Sequence, residues 1–117
     1  MSETAPDCIF CKIVAGEVPA DVLGRNDHAV SIKDLNPQAP FHVLVAPLDH
    51  HVNAAASAAA DPASIGHLVA LADEVAQESG NAAYRMVVNT GAGAGQTVFH
   101  THLHVLGGSS RMTETLV

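Results

Sequence analysis

The chain is 117 residues long with 48% hydrophobic and 15% charged residues, one domain's worth of core-forming sequence, which excludes a disordered or multi-domain protein. Five Lys and Arg against twelve Asp and Glu give a net charge of −7, which argues against nucleic acid as a partner, because affinity for phosphate chains comes from clustered cations. The longest uncharged hydrophobic-leaning stretch, Val52 to Ala60, falls far short of the roughly 20 apolar residues that span a bilayer, so no membrane segment is expected.

Met1 to Asp7 reads as a polar leader without the basic and apolar parts of a secretory signal, and a cytoplasmic protein is expected. Cys8 to Val14 carries its large apolar residues at i, i+1, i+4 and i+5, the pattern of a short helix that Gly16 and Pro19 end. Its two cysteines, Cys8 and Cys11, form a C-x-x-C pair, which in a reducing compartment suggests a metal or redox centre before a structural disulfide. Val22–Arg25 and Ala29–Lys33 flank the turn pair Asn26-Asp27 and read as a hairpin. Asn36 to Pro40 is a loop stiffened by two prolines, leading into a strand over His42–Ala46 that Pro47 closes. Val52 to Ala60 is alanine-rich with good helix propensity. Asp61 is placed as an N-cap with Pro62 in the first helical position. Ile65, Leu68, Val69, Ala72, Val75 and Ala76 then recur at three and four up to Gly80, the signature of one long helix. Tyr84–Asn89 reads as a strand, Gly91 to Gly95 as a flexible loop and His100–Leu106 as the last strand. The expected fold is α+β: a mostly antiparallel five-stranded sheet with one long helix and a short N-terminal helix.

Histidine is the compositional signal, with eight His beside no Trp, one Tyr and three Phe. In a strand, His100, His102 and His104 line one face at intervals of about 6.6 Å, with Thr101, Leu103 and Val105 on the other. A solvated polar face and a metal site are the competing readings of such a row. The glycines before it, with Gln96 and Thr97, offer backbone N–H groups and a hydroxyl suited to phosphate oxygens. His28 and His67 show no partner signal and are read as surface residues.

The alternation His100-x-His102-x-His104 resembles the signature of the histidine-triad (HIT) family, and further stretches resemble its HINT branch. These are Ile9 to Ile13, Glu17 to Ala20, Asp34 to His42 and Tyr84 to Asn89. The resemblance runs over 8–108 as one domain, between the leader 1–7 and a tail 109–117 that lacks the Trp and prolines closing many HINT sequences. It implies attack at the α-phosphorus of a nucleotide, most simply hydrolysis of a purine nucleoside 5′-phosphoramidate such as an AMP–amine conjugate.

By the same resemblance His102 is the nucleophile, with His104 and His42 against the phosphate oxygens and Thr97 near the leaving atom. Asn89, Gly95 and Gln96 border the phosphate, and Asp34 takes the ribose hydroxyls. Ile9, Phe10, Ile13, Ile32 and Leu35 wall the base. Ordinary core packing is the competing reading of those five, and a turn-forming role that of Asp34. A structural zinc on Cys8, Cys11, His50 and His100 is implied, with His51 an alternative to His50, and two free thiols or a redox pair are the competing reading. No cofactor is required for the chemistry itself, and a homodimer is implied through the long helix and the Tyr84–Asn89 strand. The alternatives are a dinucleoside polyphosphate hydrolase, a nucleotide-binding or scaffold protein, and a zinc-handling protein.

Overall fold

A computed structural model describes residues 7–108; the rest of the leader and the tail 109–117 lie outside the described residues. Helix α1 (Ile9–Val14) is followed by strands β1 (Val22–Arg25), β2 (Ala29–Lys33) and β3 (Phe41–Pro47). Helices α2 (Ala54–Ala60) and α3 (Ala63–Glu78) come next, then β4 (Tyr84–Val87), a 3₁₀ turn at Ala92–Ala94, and β5 (Leu103–Gly107). The sheet has the order β1-β2-β3-β5-β4, and every neighbouring pair is antiparallel. The α+β fold read from the sequence is the one observed.

Alternation along the strands sorts the chain into two layers. Val43 and Val45 of β3 and Leu103 and Val105 of β5 point to one face, where Leu68, Leu71, Ala72 and Val75 of α3 cover them. Fully burying each leucine contributes about 1.5–3 kcal/mol. Intervening β-strand residues face the other side, where Val30, Ile32 and Ala46 pack with Phe10 of α1. That second face also carries His42 and His104, brought near each other by the β3–β5 register, in which His42 pairs with Leu106 and Leu44 with His104.

Local chemistry accounts for the ends of the elements. Asn26 Oδ1 accepts the N–H groups of His28 (2.8 Å) and Ala29 (2.9 Å), closing the first hairpin. Asn53 Oδ1 caps α2 through the N–H of Ala56 at 2.9 Å. Asp61 ends α2 and accepts the N–H of Ala63 at 3.1 Å, so it serves the start of α3 although that helix begins one residue later than expected. The alanine-rich segment is a helix of its own.

Two strand boundaries differ from expectation by two residues or more, while β3 gains one residue at each end and β5 one at its end. β4 ends at Val87 instead of Asn89, and β5 begins at Leu103 instead of His100. Residues 100–102 lie outside the sheet, and the N–H of Thr101 goes to the carbonyl of His51 (2.8 Å) instead of to a neighbouring strand.

Candidate active site and metal centre

The histidines read as one row divide between two adjacent clusters. His100 is fully buried, and its Nε2–H donates to the carbonyl oxygen of Pro47 at 2.8 Å. That fixes the tautomer and leaves an Nδ1 lone pair, which lies 3.3 Å from Cys8 Sγ, 3.7 Å from Cys11 Sγ and 3.1 Å from His50 Nδ1. Cys11 Sγ is 3.6 Å from His50 Nδ1. One donor atom from each of Cys8, Cys11, His50 and His100 falls within 4.8 Å of the others, the convergence a metal ion needs. Burial is the main cause that pushes the pKa of His100 down to about 4, so the ring stays neutral and able to ligate at neutral pH. His50, not its neighbour His51, belongs to this cluster. His51 instead lines a cavity of about 140 Å³ together with His28 and His67. Those two rings, expected to be unpartnered surface groups, stack in parallel with centroids 3.7 Å apart.

The second cluster carries the reactive geometry. His102 donates Nδ1–H to the carbonyl oxygen of its own chain at His100, 2.7 Å away, so the lone pair sits on Nε2. The His102 ring lies 5.2 Å from Phe10 and 5.2 Å from His104, centroid to centroid. His42 Nδ1 accepts the backbone N–H of Gln38 at 2.9 Å, which puts the His42 proton on Nε2. From there it points to His104 Nδ1 at 2.9 Å, with Asp34 Oδ2 3.4 Å away. His104 Nδ1 is thereby an acceptor, and its remaining proton is on Nε2. The sequence resemblance placed His42 directly against phosphate. In the structure both of its ring nitrogens are engaged inside the protein, Nδ1 by the N–H of Gln38 and Nε2 by His104.

Asp34, His42 and His104 also bring three ligand-type atoms within 4.8 Å, but the tautomers argue against a cation there. Nε2 of His42 carries the proton, and moving that proton to Nδ1 would set it against the N–H of Gln38. Burial lowers the pKa of His104, and the neighbouring His102 and His42 rings act in the same direction, so a neutral ring is favoured.

The remaining expected site residues are placed unevenly. Asp34 is half-buried, and its Oδ1 accepts the N–H of Asn36 at 2.7 Å, which is the turn-forming role weighed against ribose binding. Phe10 and Ile32 are buried in the second core cluster with Ile13 packed against it, so core packing describes them. Ile9 lines a cleft of about 430 Å³ with Cys8, His50, Thr97, Val98 and Phe99. Leu35 is 98% exposed. Gln96 is buried: its Oε1 accepts from the N–H of Gly91 at 2.9 Å, and its Nε2 donates to the carbonyls of Val52 (2.6 Å) and Val98 (3.0 Å). The side chain of Gln96 therefore braces the glycine loop. Gly95 adopts φ +101° beside Asn89, a conformation L side chains rarely take.

Among the described residues no helix is long and apolar enough to cross a membrane. Residues 15–111 match the model of the HIT domain. The chain is 47% identical over 105 residues to an uncharacterized HIT-like protein of Synechocystis, covering 89% of this chain and 92% of that one. Its identity to the purine nucleoside phosphoramidase of Escherichia coli is 36% over 108 residues, covering 89% of each. Among solved structures, a HIT family hydrolase from Clostridium thermocellum is similar with a TM-score of 0.92 at 37% identity, over 97% of this chain and 100% of that one.

Proposed function

The chain belongs to the HIT domain family, and on that premise we propose that it hydrolyses purine nucleoside 5′-phosphoramidates through a nucleotidyl-His102 intermediate. The observation that carries this reading is the His102 tautomer: Nδ1–H is spent on the His100 carbonyl at 2.7 Å, leaving Nε2 as an unprotonated nucleophile. The similarity to a purine nucleoside phosphoramidase supports the same leaving-group class.

In the first step the Nε2 lone pair forms a bond to the α-phosphorus as the P–N bond breaks. The departing nitrogen keeps the electron pair and takes up one proton, by family resemblance beside the Thr97 hydroxyl, and leaves as an amine. The imidazolium that results has its charge met by the His100 carbonyl. Water then attacks phosphorus, the P–Nε2 bond breaks, one proton is released, and the nucleoside monophosphate leaves with His102 restored. Negative charge on the phosphate oxygens is met by the His104 Nε2–H and by loop amides near Gly95, because no Lys or Arg occurs between Asn89 and Gly108.

The Cys8, Cys11, His50 and His100 cluster is assigned to a structural zinc. Tetrahedral bonds of about 2.3 Å to sulfur and 2.0–2.1 Å to nitrogen put S···N edges near 3.6 Å and N···N edges near 3.3 Å. The S···N separations of 3.3–3.7 Å and the N···N separation of 3.1 Å fit that donor set. When bound, the ion supplies a rigid crosslink between α1 and the segments holding His50 and His100. Pairing of β4 with its counterpart in a second chain is proposed for the homodimer: β4 is an edge strand, and Met86 and Val88 there are exposed.

The test is turnover of an AMP–tryptamine phosphoramidate beside His102→Ala, with acid quench to trap nucleotidylated protein. The wild type releases AMP, and the variant loses about 10³-fold or more and traps nothing. A wild type that cleaves neither phosphoramidates nor dinucleotides, or a variant that retains full turnover, overturns the reading. One zinc per chain in metal analysis and a dimer in sedimentation are expected alongside.

A further inference from the structure

We infer that the Cys8–Cys11–His50–His100 cluster positions the nucleophile: by holding residues 8–11, 50–51 and 100 together it locks the tautomer and orientation of the His102 ring. The inference rests on the proposed role of His102 and goes beyond a purely structural metal.

Residues 100–102 need an external support, because they precede β5 and have no strand partner. Each of the four cluster residues lies within two positions of a group that supplies it. Cys8 and Cys11 flank Phe10, whose ring lies against both His100 (5.3 Å) and His102 (5.2 Å) at similar tilts of 38° and 33°. His50 precedes His51, whose carbonyl oxygen accepts the N–H of Thr101 (2.8 Å), while the Thr101 hydroxyl lies 2.7 Å from the carbonyl oxygen of Asn53 and 3.1 Å from that of His51. His100 contributes its own carbonyl, the acceptor that fixes the proton of His102 on Nδ1. The His100 ring is held at both nitrogens, by the Pro47 carbonyl and by the cluster, so the peptide that bears this carbonyl has little freedom while the cluster is intact.

Separating the cluster loosens these supports together. Phe10 keeps its core packing and the Thr101 hydroxyl its bond to Asn53, but α1 is no longer tied to the 50–51 segment, and the His100 ring loses the hold on Nδ1 and keeps its bond to Pro47. The His102 Nδ1–H bond then weakens, and the ring populates the other tautomer, in which Nε2 carries the proton and has no lone pair for phosphorus. A positioning role of this kind lowers kcat and leaves KM nearly unchanged, since the ribose and phosphate contacts proposed for Asp34 and His104 lie outside the cluster and the α1 side chains Phe10 and Ile13 are also held by the core.

The experiment compares the zinc-loaded chain, the same chain stripped with a chelator and then reloaded, and two variants. His50→Ala removes one donor, and His50→Cys keeps four. The readouts are zinc content, far-UV circular dichroism, the ¹⁵N NMR signature of the His102 ring, and kcat and KM on the unsubstituted AMP phosphoramidate. The loaded chain and His50→Cys show the Nδ1–H form. The stripped chain and His50→Ala show a tautomer mixture with kcat down by about 10- to 100-fold and KM within about twofold, and reloading restores the stripped chain. Retention of the Nδ1–H form and of kcat without zinc overturns the inference, as does loss of the folded state whenever the cluster is disturbed, which leaves a structural role alone. If the loaded wild type does not turn over phosphoramidate, the proposed function fails, while the NMR comparison still decides whether the cluster sets the His102 tautomer.

Discussion

Replacing His42 by Leu tests whether this ring serves the reaction only through its neighbour. Leucine keeps similar bulk at a site 6% exposed and removes both ring nitrogens, so His104 Nδ1 loses the donor 2.9 Å away and Gln38 loses its acceptor at the same distance. Gln38 is exposed and its N–H can turn to water, whereas His104 is left free to carry its proton on either nitrogen. Partners that orient a functional histidine are worth about 10- to 100-fold when removed, or about 1.4–2.7 kcal/mol of barrier. Steady-state kinetics on an AMP phosphoramidate should show that loss in kcat with KM little changed. The decisive comparison is the double variant: if His42 acts through His104, adding His42→Leu to His104→Ala costs nothing further. Independent, multiplying losses would refute the relay and return His42 to direct contact with phosphate.

Three further expectations concern pH and stability. His104 has its pKa lowered in the fold, so its contribution to stability is complete above about pH 6.5 and is lost as pH falls below it; urea midpoints between pH 7.5 and 5 should drop less in His104→Gln than in the wild type, and equal drops would contradict this. Gly24 faces α3, where an added Cβ would sit 2.9 Å from Val75 Cγ2 and 3.2 Å from Leu71 Cδ1, so Gly24→Ala should destabilise by about 1–3 kcal/mol in urea titration; an unchanged midpoint would show that the two side chains yield freely. The hydroxyl of Ser31 is fully buried without a hydrogen-bond partner among the described residues, and Ser31→Ala should be neutral or stabilising by up to about 1 kcal/mol; a loss of stability would reveal a partner for Oγ.

Much of this architecture is legible in the residues because the physics is local. His42–Ala46 is rich in β-branched residues and closed by Pro47, Asn26-Asp27 marks a hairpin, and Leu68, Ala72 and Val75 repeat with helical spacing, so strands, turn and long helix follow. What misleads is the row of histidines. Alternation predicts a strand from His100, yet a segment whose N–H bonds elsewhere has the same pattern, and only the Thr101 to His51 bond distinguishes the two. Family resemblance supplied the four cysteine and histidine ligands, while the choice of His50 over His51 needed the fold, because adjacent residues differ in direction and not in composition. Leu35 is apolar and next to Asp34, and nothing in its neighbourhood announces that it points to solvent. The stacking of His28 on His67 joins a turn to a helix 39 positions away, beyond any local signal. The side-chain amide of Gln96 is consumed by three backbone groups, a bracing role that no local pattern announces.

Asp34 shows why two readings of one residue need not compete. A carboxylate offers about four acceptor positions. The Asn36 N–H takes one on Oδ1 at 2.7 Å, and the His42 Nε2–H, shared with His104, leans toward Oδ2 at 3.4 Å. At least two acceptor positions remain, enough for a pair of vicinal hydroxyls, so the turn-forming contact and the ribose contact that the proposed function asks of Asp34 are compatible. The same economy governs the phosphate end. A chain with net charge −7 and no cation between Asn89 and Gly108 has no fixed positive charge in this stretch to offer an anion. Directed N–H groups take that role: Gln38 fixes His42, His42 fixes His104, and the proton left on His104 Nε2 is fixed by elimination. A neutral His104, favoured by its lowered pKa, also spares the proposed nucleophile a cationic neighbour that would hold its lone pair back from phosphorus. An unprotonated nucleophile and a hydrogen-bond donor for phosphate can therefore sit 5.2 Å apart on the same chemistry, separated only by which nitrogen each backbone contact has claimed.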